Sequence, residues 1–158
     1  MQNSSLASAR FSKVNAGMLG HSVAKFSVDF TDVEVESTTN TITLGCLPVR
    51  ARIINVIANT TTAFRGGVIT AVTCSVGGTG STDYLAAHDV MTAIVTKGLV
   101  TGDMGAFLAP SHNNTVGYLA SFSGSSPVTA TFISTDANLS ALTQGHTDFY
   151  VTFDVLPP

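Results

Sequence analysis

Charge is what this sequence has least of. Lys, Arg, Asp and Glu make up 11% of its 158 residues, against about 25% in an average soluble domain. Only seven are basic, and the formal net charge is −3. Arg50, Arg52 and Lys25 are scattered and form no basic stripe. Electrostatic binding to nucleic acid needs such a stripe, so no nucleic-acid partner is expected. Tryptophan is absent, which removes the usual stacking platform for a sugar ring. No apolar run reaches the roughly 18 residues that a membrane-spanning helix requires, so no membrane partner is expected either. Residues 1–22 contain no apolar segment of about 7–15 residues of the kind a secretory leader carries.

Cysteine is also scarce. Cys46 and Cys74 are the only two, too few for a disulfide framework. Without a leader they read as reduced thiols. Both fall in apolar strand patterns, so each is expected as a small buried hydrophobe; a bond between them stays open.

The motifs of catalysis are missing as well. His21, His88, His112 and His146 form no HxH or HExxH pair, so metal-ligand spacing is absent. His88 and Asp89 are adjacent, and adjacent residues of a strand or helix do not face each other. His112 and His146 sit in polar stretches that read as solvated loops. The segment GYLASFSG at 117–124 lacks the GxSxG spacing of a serine nucleophile. GGTG at 77–80 lacks the Gly-Lys-Ser/Thr ending of a phosphate loop. Asp29, Asp32, Glu34 and Glu36 cluster, and the last three share a parity, as on the solvated face of a strand. A calcium site needs about six to eight oxygens and usually several loop carboxylates, whereas a solvated strand face needs nothing; a cation held between subunits is the alternative. The Asn-x-Ser/Thr sequons at Asn3, Asn59, Asn113 and Asn138 are what so hydroxyl-rich a chain produces by chance. No enzyme activity, metal or cofactor is expected.

Hydroxyls carry the polarity instead: the chain has 22 Thr and 16 Ser. Threonine is β-branched and suits a pleated, half-exposed surface. Hydrophobic residues make up 44%, and mean hydropathy is positive. A surface with so few charges repels its neighbours weakly and favours contact with other subunits.

Period-two patterning dominates. Ala24, Phe26, Val28 and Phe30 alternate with Lys25, Ser27 and Asp29; Val33 and Val35 alternate with Glu34 and Glu36. A short strand is expected at 42–44. The run from Val49 to Ala58 is apolar on both faces apart from Arg50, Arg52 and Asn55, as in an interior strand. Val68, Thr70, Val72, Cys74 and Val76 share one face of the next strand, with Thr73 and Ser75 opposite. Residues 84–97, YLAAHDVMTAIVTK, are the best candidate for a helix or helical turn, with Leu85, Val90, Ile94 and Val95 partly at helical spacing and Gly98 as a stop. Residues 98–115 have no clear period. Strands are expected at 116–122 and 128–135, joined by a hairpin turn through Gly124 to Pro127. Residues 137–145 read as a connection. The last strand is the cleanest: Phe149, Val151, Phe153 and Val155 point one way, and Tyr150, Thr152 and Asp154 the other. Phe153→Ala should cost about 3–5 kcal/mol.

Roughly seven or eight short strands make this an all-β chain. The expected fold is a single antiparallel β-sandwich, jelly-roll-like, with one short helix or helical turn and an N-terminal arm. Greek-key or jelly-roll winding is expected, because strands from the two chain ends should pair near the middle of a sheet. The domain is expected over residues 23–158, and residues 1–22 form the arm. The arm is either a disordered tail or a segment that orders on a neighbouring subunit.

One stretch carries more than class-level information. Residues 53–97 place Thr62, Ala63, Phe64, Gly66 and Gly67 in a strand-ending turn, then Ser75-Val76-Gly77, then Asp83, Tyr84 and Leu85. This pattern, together with TATFISTDANLSALTQGHTDFYVTF at 129–153, resembles small jelly-roll structural proteins of tailed-phage virions, of the capsid decoration or cement type. The resemblance implies a non-enzymatic protein that binds over the major capsid protein lattice, assembles as a homotrimer, and is made in the host bacterial cytoplasm for the virion surface. Arg65 replaces a residue that is often small or polar in that pattern, which makes the turn a contact candidate. The candidate contacts are Phe64 and Arg65 of this turn and Arg10 and Phe11 of the arm. The alternative is a carbohydrate- or receptor-binding module of a phage tail, with Tyr84, Tyr118 and Tyr150 as its aromatic face.

Overall fold

The computed structural model describes residues 14–15, 22–48, 51–78, 84–99 and 126–155. Its strands are β1 (Val14–Asn15), β2 (Ser22–Asp29), β3 (Thr39–Leu47), β4 (Ala51–Arg65), β5 (Ala71–Gly77), β6 (Leu85–Asp89), β7 (Val95–Lys97), β8 (Ser126–Thr135) and β9 (Gln144–Val155). One short helix, α1 (Phe30–Val33), follows β2, and a 3-10 turn at Leu139–Ala141 precedes β9.

The strands form two antiparallel sheets. One has the order β1-β2-β9-β4-β7, the other β3-β8-β5-β6. The chain passes back and forth between the sheets, and the first long strand, β2, lies against the last, β9, near the middle of its sheet. This is jelly-roll winding. Alternation drives it. On β2, Ala24, Phe26 and Val28 point inward, and on β9 so do Phe149, Val151 and Phe153. Each sheet therefore has one apolar face, and burial of the two faces against each other makes the core. Phe26, Phe64, Phe132 and Phe149 are its largest fully buried side chains. The Phe64 and Phe132 rings, from opposite sheets, meet at 5.2 Å with a 43° tilt. Such a pair contributes about 0.5–1.5 kcal/mol beyond its area.

Several expectations need correction. The strand expected from Val68 begins only at Ala71, and Val68 is 72% exposed in the turn before it. Residues 84–97 hold no helix: they supply β6 and β7. Leu85, His88 and Asp89 pair with β5, and Val95–Lys97 pairs with β4. Two short strands satisfy backbone at an edge of each sheet, which one helix could not do. Residues 33–36 are not a strand. Val33 ends α1, its carbonyl accepts a 2.9 Å hydrogen bond from the Asn40 amide, and the Val35 and Ser37 carbonyls accept from Ser140 and Leu139. Cys46 is exposed, while Cys74 is buried; both are free thiols. The register of β3 shifts between Thr43 and Gly45. Leu44 and Leu47 both turn inward, and Cys46 is thrown outward by this bulge. Finally, His146 lies inside β9 rather than in a loop.

β3 and β4 extend well beyond their expected cores, to nine and 15 residues. At the start of the chain, β1 pairs with β2, and Ser22 already belongs to β2. The strand expected at 116–122 and the start of its hairpin turn fall outside the described residues; Ser126 and Pro127 begin β8.

Candidate assembly surfaces

The two outward faces of the sandwich differ in chemistry. The five-stranded sheet carries charge. Lys25, Ser27 and Asp29 of β2 stand opposite Tyr150, Asp148 and His146 of β9. Lys25 Nζ lies 2.9 Å from an Asp148 carboxylate oxygen and 5.6 Å from the centre of the Tyr150 ring. Ser27 Oγ donates to the other Asp148 oxygen at 2.6 Å. The imidazole of His146 sits between two carboxylates, with Nδ1 2.7 Å from Asp29 and Nε2 3.4 Å from Asp148. The hydrogen bond to Asp29 is the main reason the His146 pKa is raised; partial burial opposes it, and Asp148 adds to it. Burial pushes the Asp148 carboxyl up, but Ser27, Lys25 and His146 together outweigh that and hold it below its ordinary value. Asp148 in turn raises Lys25.

This cluster has the residue types of a serine hydrolase without its geometry. Ser27 donates to Asp148 rather than to His146, so the imidazole is not placed to take its proton. Among the described residues no group of three or more His, Cys, Asp or Glu is placed to hold a metal ion. The acidic stretch after β2 is divided in the same way. Asp29 faces His146, the Asp32 carboxylate accepts from the Asp29 amide at 3.0 Å, and Glu36 accepts from Asn138 at 3.4 Å. Burial raises the Cys74 thiol far above the range in which a thiolate forms.

The outward face of the four-stranded sheet is built from hydroxyls. Thr39, Thr41 and Thr43 of β3 stand opposite Ile133, Thr131 and Thr129 of β8, which in turn stand opposite Thr73, Ser75 and Gly77 of β5. Thr41 and Thr131 share a 2.9 Å hydrogen bond across the strands. None of β3, β5 and β8 contains a charged residue. Ile133, 45% exposed, lies within this face. At its far edge Asp89 of β6 turns onto its own chain, accepting from the Met91 amide and the Thr92 hydroxyl at 3.0 Å each.

The candidate contacts read from the sequence separate. Phe64 is fully buried against Phe132; its ring packs the core and is not on the surface. Arg65 beside it is exposed and donates to the Met91 carbonyl at 3.3 Å, while its own carbonyl accepts from Thr143. Gly66 carries the turn: a Cβ there would lie 2.0 Å from the Ala141 carbonyl oxygen. Arg10 and Phe11 are outside the described residues, as is Tyr118. Tyr84 is buried next to the four-stranded sheet and Tyr150 lies on the other sheet under Lys25, so these two tyrosines do not form one aromatic face.

Along 96% of its length, this chain superposes on 96% of a chain of the cyanophage Pam1 capsid asymmetric unit, with a TM-score of 0.55 and 23% sequence identity. Its fold is shared with a phage capsid chain. No family model matches the sequence, and no curated protein does. At that identity the likeness is one of fold, so contact surfaces have to be argued from this chain's own residues.

Nothing in the residue order pointed to the Lys25–Asp148–His146–Asp29 cluster, whose two halves lie more than a hundred positions apart, with 117 between Asp29 and His146. Only the alternation in β2 and β9 hinted at it, by placing these residues on the polar parity of both strands. The hydroxyl face was legible as threonine content but not as a place.

Proposed function

We propose that this protein is a structural component of a phage virion: a decoration or cement protein that sits on the capsid surface, binds over the major capsid protein lattice and stabilises it, acting as a homotrimer. The observation that carries the reading is the end-to-end fold match to a chain of a capsid asymmetric unit. The sequence resemblance to decoration proteins points the same way and adds the finer assignment. The uncharged hydroxyl face supports it physically. A face without charges loses little by desolvation when it is covered and needs no matched charge opposite.

The area of that face bears on how it would be used. Three strands about 4.8 Å apart and about 25 Å long present on the order of 400 Å². A stable interface takes about 800 Å² from each partner. One such face therefore needs a second contact, or repetition over a lattice, where linked weak contacts multiply.

The test is addition of the purified protein to capsids assembled without it, followed by sedimentation and heating. Co-sedimentation at a fixed stoichiometry, with a higher disruption temperature, is the expected result. Protein that stays in the supernatant would sink the reading.

A further inference from the structure

Four carboxylates, those of Asp29, Asp32, Glu34 and Glu36, fall within eight positions, on a segment with little of its own to hold it. α1 is a four-residue helix, closed by a 3.0 Å hydrogen bond from the Glu34 amide to the Phe30 carbonyl. Beyond it the chain is tied to the turn before β9: the Ser140 and Leu139 amides donate to the Val35 and Ser37 carbonyls at 2.9 and 2.8 Å. Asp29 starts this segment. It is the N-cap of α1 and forms a capping box with Asp32, so the position of its carboxylate sets where the helix begins. Like charges this close repel one another, and the segment stays docked best with a counter-charge beside it.

His146 supplies it. Among the described residues, Asp32 and Glu36 accept from neutral donors, the Asp29 amide and the Asn138 side chain. Asp29 has a partner that can be positive, the His146 ring 2.7 Å away. The other groups around the imidazole do not replace it. On β9, Asp148 is a second carboxylate at 3.4 Å, with Tyr150 beyond it. On β2, Lys25 is engaged by Asp148. β4 places Thr62 opposite His146, and Arg65 at its end donates to the Met91 carbonyl. A protonated ring therefore pairs Asp29 with a positive charge, and a neutral ring leaves the acidic segment uncompensated. We propose that His146 is a pH-operated latch on residues 29–38: protonated, it clamps Asp29 and keeps α1 and the loop after it docked on the turn at Leu139–Ala141; neutral, it releases them. The raised pKa of His146, owed first to Asp29, puts the release above pH 6.5. The latch acts on one loop and is independent of the assembly reading above.

Residue-resolved amide exchange of the full chain, corrected for intrinsic base catalysis, tests this between about pH 5.5 and about pH 8. Protection of the Glu34, Leu139 and Ser140 amides should fall about two- to fivefold over that range, the change that losing a half-exposed ion pair implies. The fall should be the same in low denaturant, which promotes global unfolding but not local opening. In His146→Gln, and in Asp29→Asn, which keeps a capping side chain, protection should stay level. The two variants are independent, so either one that folds is enough. A level profile in the wild type, a fall that comes only through global unfolding, or a fall that survives in a folded variant would each overturn the latch.

Discussion

A neutral imidazole has one N–H to give, and His146 has a carboxylate at each ring nitrogen. Only the protonated ring can donate to both. The clasp between β2 and β9 is therefore a protonation-dependent one, and its sign can be worked out. The pKa of His146 is raised above the ordinary 6.5, so its contribution is complete below pH 6.5 and is lost as pH rises through the higher folded value. Asp148 is lowered below 3.8, so its contribution is complete above that and is lost only as pH falls through the lower folded value. Lys25 is raised above 10.5 and does not titrate in between. The thermal midpoint should thus hold from about pH 4 to about pH 6.5 and fall above that. In His146→Gln the fall above pH 6.5 should vanish; if the slope persists in that variant, another group causes it. None of this was readable from residues 117 positions apart, because period-two patterning reports which side a residue faces and not which strand it meets. Cys46 shows the complementary failure: its apolar neighbours suggested burial, but the bulge in β3 turns it outward.

At the scale of elements, what was legible follows from pairing. β2 and β9 have neighbours on both sides and one buried face, and their alternation is plain in the sequence. β9 also joins β2 to β4 over most of its length. Removing a large side chain from its inner face should therefore cost the full cavity penalty. Phe153 is 4% exposed, and Phe153→Ala should lower stability by about 3–5 kcal/mol in urea unfolding; a loss under about 1.5 kcal/mol, less than the transfer energy of a fully buried side chain, would show that the inner face of β9 relaxes freely. The short edge strands were not legible. In β6 only Leu85 is buried, with Ala86 and His88 half-buried and Ala87 and Asp89 exposed, and β7 has just three residues. So few positions fit a helical period nearly as well as a strand one, and only the presence of open edges on β4 and β5 decides between them.

For the whole molecule, the distinguishing property is the separation of charge. One sheet carries Lys25, Asp29, His146 and Asp148; the opposite one presents threonines and Ile133, with Asp89 at its β6 edge. If the uncharged side is the one applied to the lattice, a single charge within it should be enough to prevent docking. Ile133→Glu should leave the melting temperature of the isolated protein within about 2 °C, as surface changes usually do, yet abolish co-sedimentation with capsids. Normal binding by this variant would assign the docking surface elsewhere on the sandwich. The fold class, the closing strand and the pairing of the two chain ends were within reach of composition and periodicity, while the choice of jelly-roll over Greek-key winding came from the resemblance. The two-faced character was not, since it depends on which strands share a sheet.

The pairing of β2 with β9 also sets how the domain yields to force. Ser22 is opposite Phe153 and Asp29 opposite His146, so the chain enters β2 and leaves β9 at the same end. Tension applied through residues 22 and 155 opens this ladder one rung at a time, like a zipper, instead of shearing all rungs together. Lys25–Asp148 is met midway, and His146–Asp29 is at the last rung. Single-molecule pulling from these two points should give early, low-force peeling, with a late step that grows as pH is lowered through the titration of His146. A single abrupt high-force rupture would mean that the load reaches the sandwich along another line.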